Sequence, residues 1–125
     1  MIIAPGISPE RLHKALRTVS NWLDLHDQGR YMKAWDDSTF LMPRAAWVRE
    51  QNMIYERRGA VVSRKLEAEE LRPGRNPERM LFRYKTRFEK GPPANELVFA
   101  APQPDGKWVI TGYFVKMEGE QADLP

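Results

Sequence analysis

Arg64 is the residue whose setting most invites chemistry. Counted by twos along its segment, it falls in line with Val62, Leu66 and Ala68, on the side that a half-buried strand turns toward a core. A guanidinium on an apolar face is costly unless it is paired and hydrogen-bonded. Its candidate partners are Glu96, Asp36 or Asp37, and the hydroxyls of Tyr84 or Tyr113. One reading places Arg64 at the floor of a cavity, holding a carboxylate or other anion through its bidentate fork. The plainer reading is a structural Arg–Glu pair, or a side chain that snorkels out at the sheet end.

Acid–base chemistry has few other candidates. Asp36-Asp37 could turn one carboxylate inward as a base, but adjacent acids after a short helix are ordinarily a cap or turn. His13 and His26 lie thirteen residues apart on one helix and face different ways, so they form neither a metal pair nor a dyad. His26, between Asp24 and Asp27, reads as a solvated helix end. The sequence has no G-x-S-x-G elbow, H-E-x-x-H, Walker loop or G-x-G-x-x-G. It has no cysteine, which excludes disulfides, thiol nucleophiles and thiolate metal sites. No catalytic residue, metal-ligand set or cofactor is therefore expected. Trp22, Trp35, Trp47 and Trp108 read as core.

A basic run, Arg72, Arg75, Arg79, Arg83, Lys85, Arg87 and Lys90, stands against only Glu78 and Glu89. Arg83, Lys85 and Arg87 share one strand face, and Lys65, Glu67 and Glu69 occupy the matching face of the strand before. A simple hairpin would set Glu67 near Arg83, making this a solvated face of crossed charges. No aromatic residue interleaves these basic groups on their own face, which disfavours nucleic acid as a partner.

These residues must be positioned by two kinds of element. Ser8 is a good N-cap, Pro9 suits the first helical position, and Leu12, Leu16, Val19 and Leu23 form one stripe of a helix ending near Gln28-Gly29. A short helix over about 30–37 carries Tyr31, Ala34 and Trp35. Pro43 opens a third helix that runs to Arg58 and stops at Gly59, with Ala46, Trp47, Met53 and Ile54 on its apolar face. The period then falls to two, and residues 60–71, 79–90, 95–101 and 107–117 read as strands separated by short Pro/Gly turns. Loops this short favour an antiparallel meander.

The fold class is therefore α+β, three N-terminal helices packed on a curved four-stranded antiparallel sheet. Met80, Phe82, Tyr84, Thr86 and Phe88 give the second strand its core face. The last two strands are apolar on both faces, which calls for strong curvature and for another subunit on the outer face, so a homodimer through the sheet is expected. The length of 125 residues fits one domain, expected over 8–117 with flexible ends at 1–7 and 118–125. Hydrophobic residues make up 42% and charged residues 30%, a globular profile, and no apolar run is long enough to insert in a membrane. The first six residues carry no basic region or apolar stretch of a secretion signal.

The string Asp27-x-Gly29-x-Tyr31-x-x-x-Trp35, then Trp47, Arg57-Arg58-Gly59 and Ser63-Arg64, resembles an uncharacterised bacterial domain-of-unknown-function family, four-zero-one-nine in its series. Pro73-Gly74, Tyr84-x-Thr86-x-Phe88, Glu96, Asp105-Gly106-x-Trp108 and Gly112-Tyr113 continue the match. Glu78 stands where a glycine is expected before the second strand. The resemblance implies a cystatin-like or nuclear-transport-factor-like cone, related to that of ketosteroid isomerase, in which helices close over a curved sheet to leave a pocket. That cone hosts isomerases, dehydratases, binding modules and dimerisation domains, so it does not settle function. Members are commonly exported, which implies a periplasmic or secreted location if a leader was trimmed and a cytoplasmic one otherwise.

Together these readings give a non-catalytic small-ligand-binding or protein-interaction domain. Its pocket would be lined by Tyr31, Trp35, Arg64, Tyr84, Glu96 and Tyr113 and would accept a small molecule or anion. The alternative is an isomerase or hydrolase with Asp36, Asp37 or Glu96 as a desolvated base and Tyr84 or Tyr113 as hydrogen-bond donor.

Overall fold

Ser8 starts the first helix as its residue type dictates. Its backbone is extended (φ −69°, ψ 149°) and its Oγ accepts a hydrogen bond from the amide of Arg11 at 3.2 Å, with Pro9 at the first helical position. The computed structural model describes residues 7–72 and 78–117. The expectations for flexible ends, for Pro73-Gly74 and Arg75, and for the turn geometry ahead of Glu78 lie outside the described residues.

Helix α1 (Pro9–Asp27) buries Ala15, Val19, Trp22 and Leu23, while Leu12 and Leu16 are only partly covered. The buried line 15, 19, 22 thus runs beside the expected leucine stripe, and its next position is His26. Helix α2 (Tyr31–Asp36) buries Tyr31 and Ala34. Helix α3 (Arg44–Arg58) ends at Gly59 as expected, but with φ 77° and ψ −162° the glycine takes an extended positive-φ conformation open essentially only to glycine, not the left-handed helical cap. It buries Trp47 and Gln51; Met53, expected on the apolar face, is 61% exposed. The residue one helical turn after Trp47 is Gln51, so the face toward the core continues through a polar side chain and not through methionine.

The strands are β1 (Val61–Arg72), β2 (Arg79–Phe88), β3 (Ala94–Pro102) and β4 (Trp108–Met117), paired antiparallel in the order β1-β2-β3-β4. The expected meander is present, and the helices precede it. Met80, Phe82, Tyr84 and Thr86 are buried on the helix-facing side, in a core with Trp22, Trp47, Val98 and Ile110. Thr39 donates its amide to the Ile110 carbonyl at 3.0 Å, tying the segment before α3 to the β4 edge.

Strand β1 departs from simple alternation. Its register shifts between Val61 and Ser63 and again between Leu66 and Ala68. Each shift is a β-bulge, one extra residue that reverses which face the following side chains occupy. Val62 is consequently 65% exposed, and Ala68 stands opposite Arg83 on the outer face. Glu69, expected on the solvated face, lies opposite Phe82 and is 2% exposed. Glu67 occupies the bulge, and the acid that reaches Arg83 is Glu70.

Beyond the sheet, Leu81, Leu97 and Phe99 form a smaller buried cluster with Phe114 packed against it. The Arg79 guanidinium lies 4.2 Å from the centre of the Phe99 ring and covers part of this outer face.

Candidate functional site

The polar centre of the molecule is built on Glu96, whose side chain is fully buried on β3. Register places it opposite Tyr84 on β2 and Val115 on β4. Arg64 of β1 donates from Nε to Glu96 Oε1 at 2.7 Å and from Nη2 to Oε2 at 3.2 Å. Thr86 Oγ1 donates to Oε1 and the Tyr113 hydroxyl to Oε2, each at 2.5 Å. The other edge of the guanidinium grips Asp27, the last residue of α1, through Nη1 at 2.7 Å and Nη2 at 3.0 Å. One arginine therefore ties the end of the first helix to the middle of the sheet.

This geometry sets the charges. Burial alone would push the Glu96 carboxyl up, but the hydrogen bonds and charge of Arg64, with Thr86 and Tyr113, hold it below the ordinary carboxylate range. Arg64 stays charged, because its two carboxylates outweigh the effect of burial. The Tyr113 phenol is held well above its usual range, by burial first and then by the negative charge of Glu96. Burial pushes the Tyr84 hydroxyl up to about 12. Two carboxylates around one guanidinium leave the cluster with a net negative charge.

His26 lies against this cluster and not in solvent. Its ring stacks on Trp22 at 5.5 Å and meets Tyr31 at 5.0 Å and Tyr113 at 4.8 Å, and its Nε2 is 2.8 Å from Gln51 Oε1. Burial lowers its pKa from the ordinary 6.5, against the opposing pull of Gln51, Glu96 and Asp27. The solvated helix end expected from its acidic neighbours is thus corrected. The flanking Asp24 and Asp27 sit on other faces of the helix, while His26 continues the line from Trp22. That line was the signal in the sequence. Gln51 carried no comparable signal, and Asp27 stood out only as the first residue of the family string.

Of the six residues expected to line a pocket, Arg64, Glu96 and Tyr113 are bonded to one another, and Tyr84 packs in the core at the register position facing Glu96. Tyr31 reaches the group through His26. Trp35 does not join it. Its Nε1 donates to the Met42 carbonyl at 2.9 Å, pinning the segment that follows α2. Asp36 and Asp37 are also elsewhere, half-exposed and paired with Arg44 and Lys33, each at 2.9 Å.

A cavity of about 30 Å³ lies between His26, Asp27, Tyr31, Gln51, Glu96 and Tyr113. That is room for one water. A larger cleft of about 410 Å³ lies open at the surface between α1, the end of α2 and β4, walled by Trp22, Asp37, Lys107 and Trp108.

Residues 18–113, more than half of the chain, match the model of a family described as "Protein of unknown function (DUF4019)". No curated protein and no solved structure matches the chain.

Proposed function

The chain belongs to that family of unknown function, and on that premise we propose that it is a non-catalytic binding domain. The observation that carries the reading is the saturation of Glu96. A general base needs a free lone pair, a raised pKa and space for substrate. Glu96 has its oxygens occupied by Arg64, Thr86 and Tyr113, a lowered pKa, and a neighbouring cavity the size of a water. Asp36 and Asp37 are ion-paired and half-exposed, not desolvated. The buried cluster acts as scaffold, and contact with a small molecule or partner falls to the surface around it.

The charge of the cluster also selects among ligands. The two edges of the Arg64 fork are taken by Glu96 and Asp27, so an anion would have to displace a carboxylate. A neutral or cationic group suits the helix-side cavity, and only if Tyr31 and its neighbours move to admit it. The cleft beside Trp108 needs no such movement, and its volume falls in the range of small-molecule sites.

Native mass spectrometry of gently purified protein, set beside its denatured mass, tests the reading together with a turnover screen. The expected result is a reproducible non-covalent adduct or partner and no turnover. A hydrolase or isomerase activity that Tyr113→Phe abolishes, with the circular dichroism spectrum unchanged, would overturn it.

A further inference from the structure

The cleft beside Trp108 continues past that residue. A second open cleft of about 430 Å³ shares Thr18, Lys107 and Trp108 with the first, of about 410 Å³, so the two run into one trough. One wall is the stripe Lys14, Arg17, Thr18 and Asn21, spaced i, i+3, i+4 and i+7 along a single face of α1. The turn between β3 and β4 makes another wall, and its own bonds fix it. The Gly106 amide donates to the Gln103 carbonyl at 2.9 Å and the Gln103 amide to the Lys107 carbonyl at 2.7 Å. The Lys107 amide donates to Asp105 Oδ1 at 2.9 Å. The segment after α2 completes the trough, tied to Ile110 through the Thr39 amide. Walls held in advance spare a ligand the cost of ordering them.

The two ends of the trough differ in charge. Lys14, Arg17 and Lys107 stand at one end with Asp105. Neither Lys14 nor Lys107 has an ion-pair partner among the described residues, and Glu10, one turn before Lys14, lines neither cleft. Arg17 spends one nitrogen on His13 Nε2 at 3.1 Å. At the other end, Asp36 and Asp37 are each bound through one oxygen to Arg44 and Lys33. Their second oxygens can still accept. The side chains of Asn21, Thr39 and Gln103 line this end and bond nothing among the described residues. Amides and hydroxyls both donate and accept, as sugar hydroxyls do.

We propose that the trough binds a small sugar carrying one anionic group, a phosphate or a carboxylate, a ligand class that rests on the reading of the protein as a binding domain. The anion lies among Lys14, Arg17 and Lys107, and the sugar hydroxyls face Asn21, Thr39 and Gln103. An apolar ligand would meet walls of hydroxyl, amide and charge. A nucleotide base would need an open ring to stack on, whereas Trp108 is 9% exposed and has the Arg11 guanidinium 5.8 Å from its ring centre. Inorganic phosphate would leave the amide and hydroxyl end unused.

Calorimetric and NMR titration of the full chain tests this with glucose, mannose and galactose, each as the free sugar, the 6-phosphate and the uronate, beside inorganic phosphate. At least one anionic sugar should bind roughly ten-fold more tightly than its free sugar or inorganic phosphate, as charge-assisted hydrogen bonds imply. Binding of only the phosphates or only the uronates identifies the anion. Lys14→Gln with Lys107→Gln should cost roughly ten-fold or more. Asn21→Ala with Gln103→Ala should weaken the anionic sugar and leave inorganic phosphate unchanged. All four side chains are exposed, and Lys65→Gln on the sheet serves as the control that changes nothing. No binding of any anionic sugar, equal binding of the free sugars, or binding untouched by the lysine variant would overturn the proposal. If native mass spectrometry then still finds another adduct, the binding-domain reading stands without it. Turnover of a bound sugar phosphate, lost in the lysine variant, would sustain the trough and overturn the non-catalytic reading instead.

Discussion

Arg64 holds two carboxylates of unequal exposure, and that inequality decides what each substitution does. Glu96 is fully buried, whereas the Asp27 side chain is 29% exposed. Arg64→Ala would strand a buried carboxylate and should destabilise the fold by about 3–5 kcal/mol in urea denaturation. Asp27→Asn leaves water free to replace the lost partner and should cost about 1 kcal/mol or less. Similar losses for both would mean that the arginine matters for its stem and not its charge. Acid should act on two groups in sequence. His26 and Glu96 both have lowered pKa values in the folded state, so each contributes stability above its unfolded value that is lost as pH falls. The His26 contribution should begin to fade below about 6.5 and that of Glu96 below about 4.5, visible as two breaks in a plot of stability against pH. Glu69 runs the opposite way, since burial raises its pKa and its ionised form opposes folding at neutral pH. Glu69→Gln should therefore stabilise the protein at pH 7, with the gain vanishing below about pH 4.5. A loss of stability at pH 7 would mean that the Glu69 carboxylate has a favourable partner.

Gly59 joins α3 to β1 and shows how an element boundary is held. Its φ of 77° suits glycine, and a Cβ built there would fall 2.7 Å from Glu89 Oε1. That same oxygen accepts the Ala60 amide at 2.6 Å, so the turn closes on the end of β2. Gly59→Ala should destabilise by about 1–3 kcal/mol through strain and the displaced carboxylate, read as a lowered midpoint in thermal melts. An unchanged midpoint would show that the turn relaxes freely. This boundary was legible in the sequence, as were Ser8-Pro9, Tyr31–Asp36 and the order of the four strands, because each rests on residue types within a few positions of one another. The bulge between Leu66 and Ala68 was not. It inserts Glu67 into a pattern that alternates acceptably without it, and the cost of misreading is a reversed face for everything that follows. The Arg64–Glu96 pair could be named from a charge on an apolar face. Its second partner could not, since Asp27 lies 37 residues away and meets Arg64 only once α1 is laid across the sheet.

At the scale of the whole molecule, the two-sided apolar character of β3 and β4 admits a simpler answer than a second copy. Leu81, Leu97 and Phe99 are already buried within a single chain, with Arg79 over the Phe99 ring. Pairing two such sheets face to face would bring the row Lys65, Lys85 and Lys116 of each copy toward its own kind, in a setting where desolvation strengthens repulsion. Sedimentation velocity at low salt should therefore find a monomer. Any association through this face should strengthen as salt screens the lysines. A dimer that persists at low salt and is unaffected by Lys65→Gln, Lys85→Gln and Lys116→Gln would place the subunit contact on the helices or the β4 edge, leaving the basic face open. A dimer that those substitutions strengthen would mean that the lysines serve to keep copies apart.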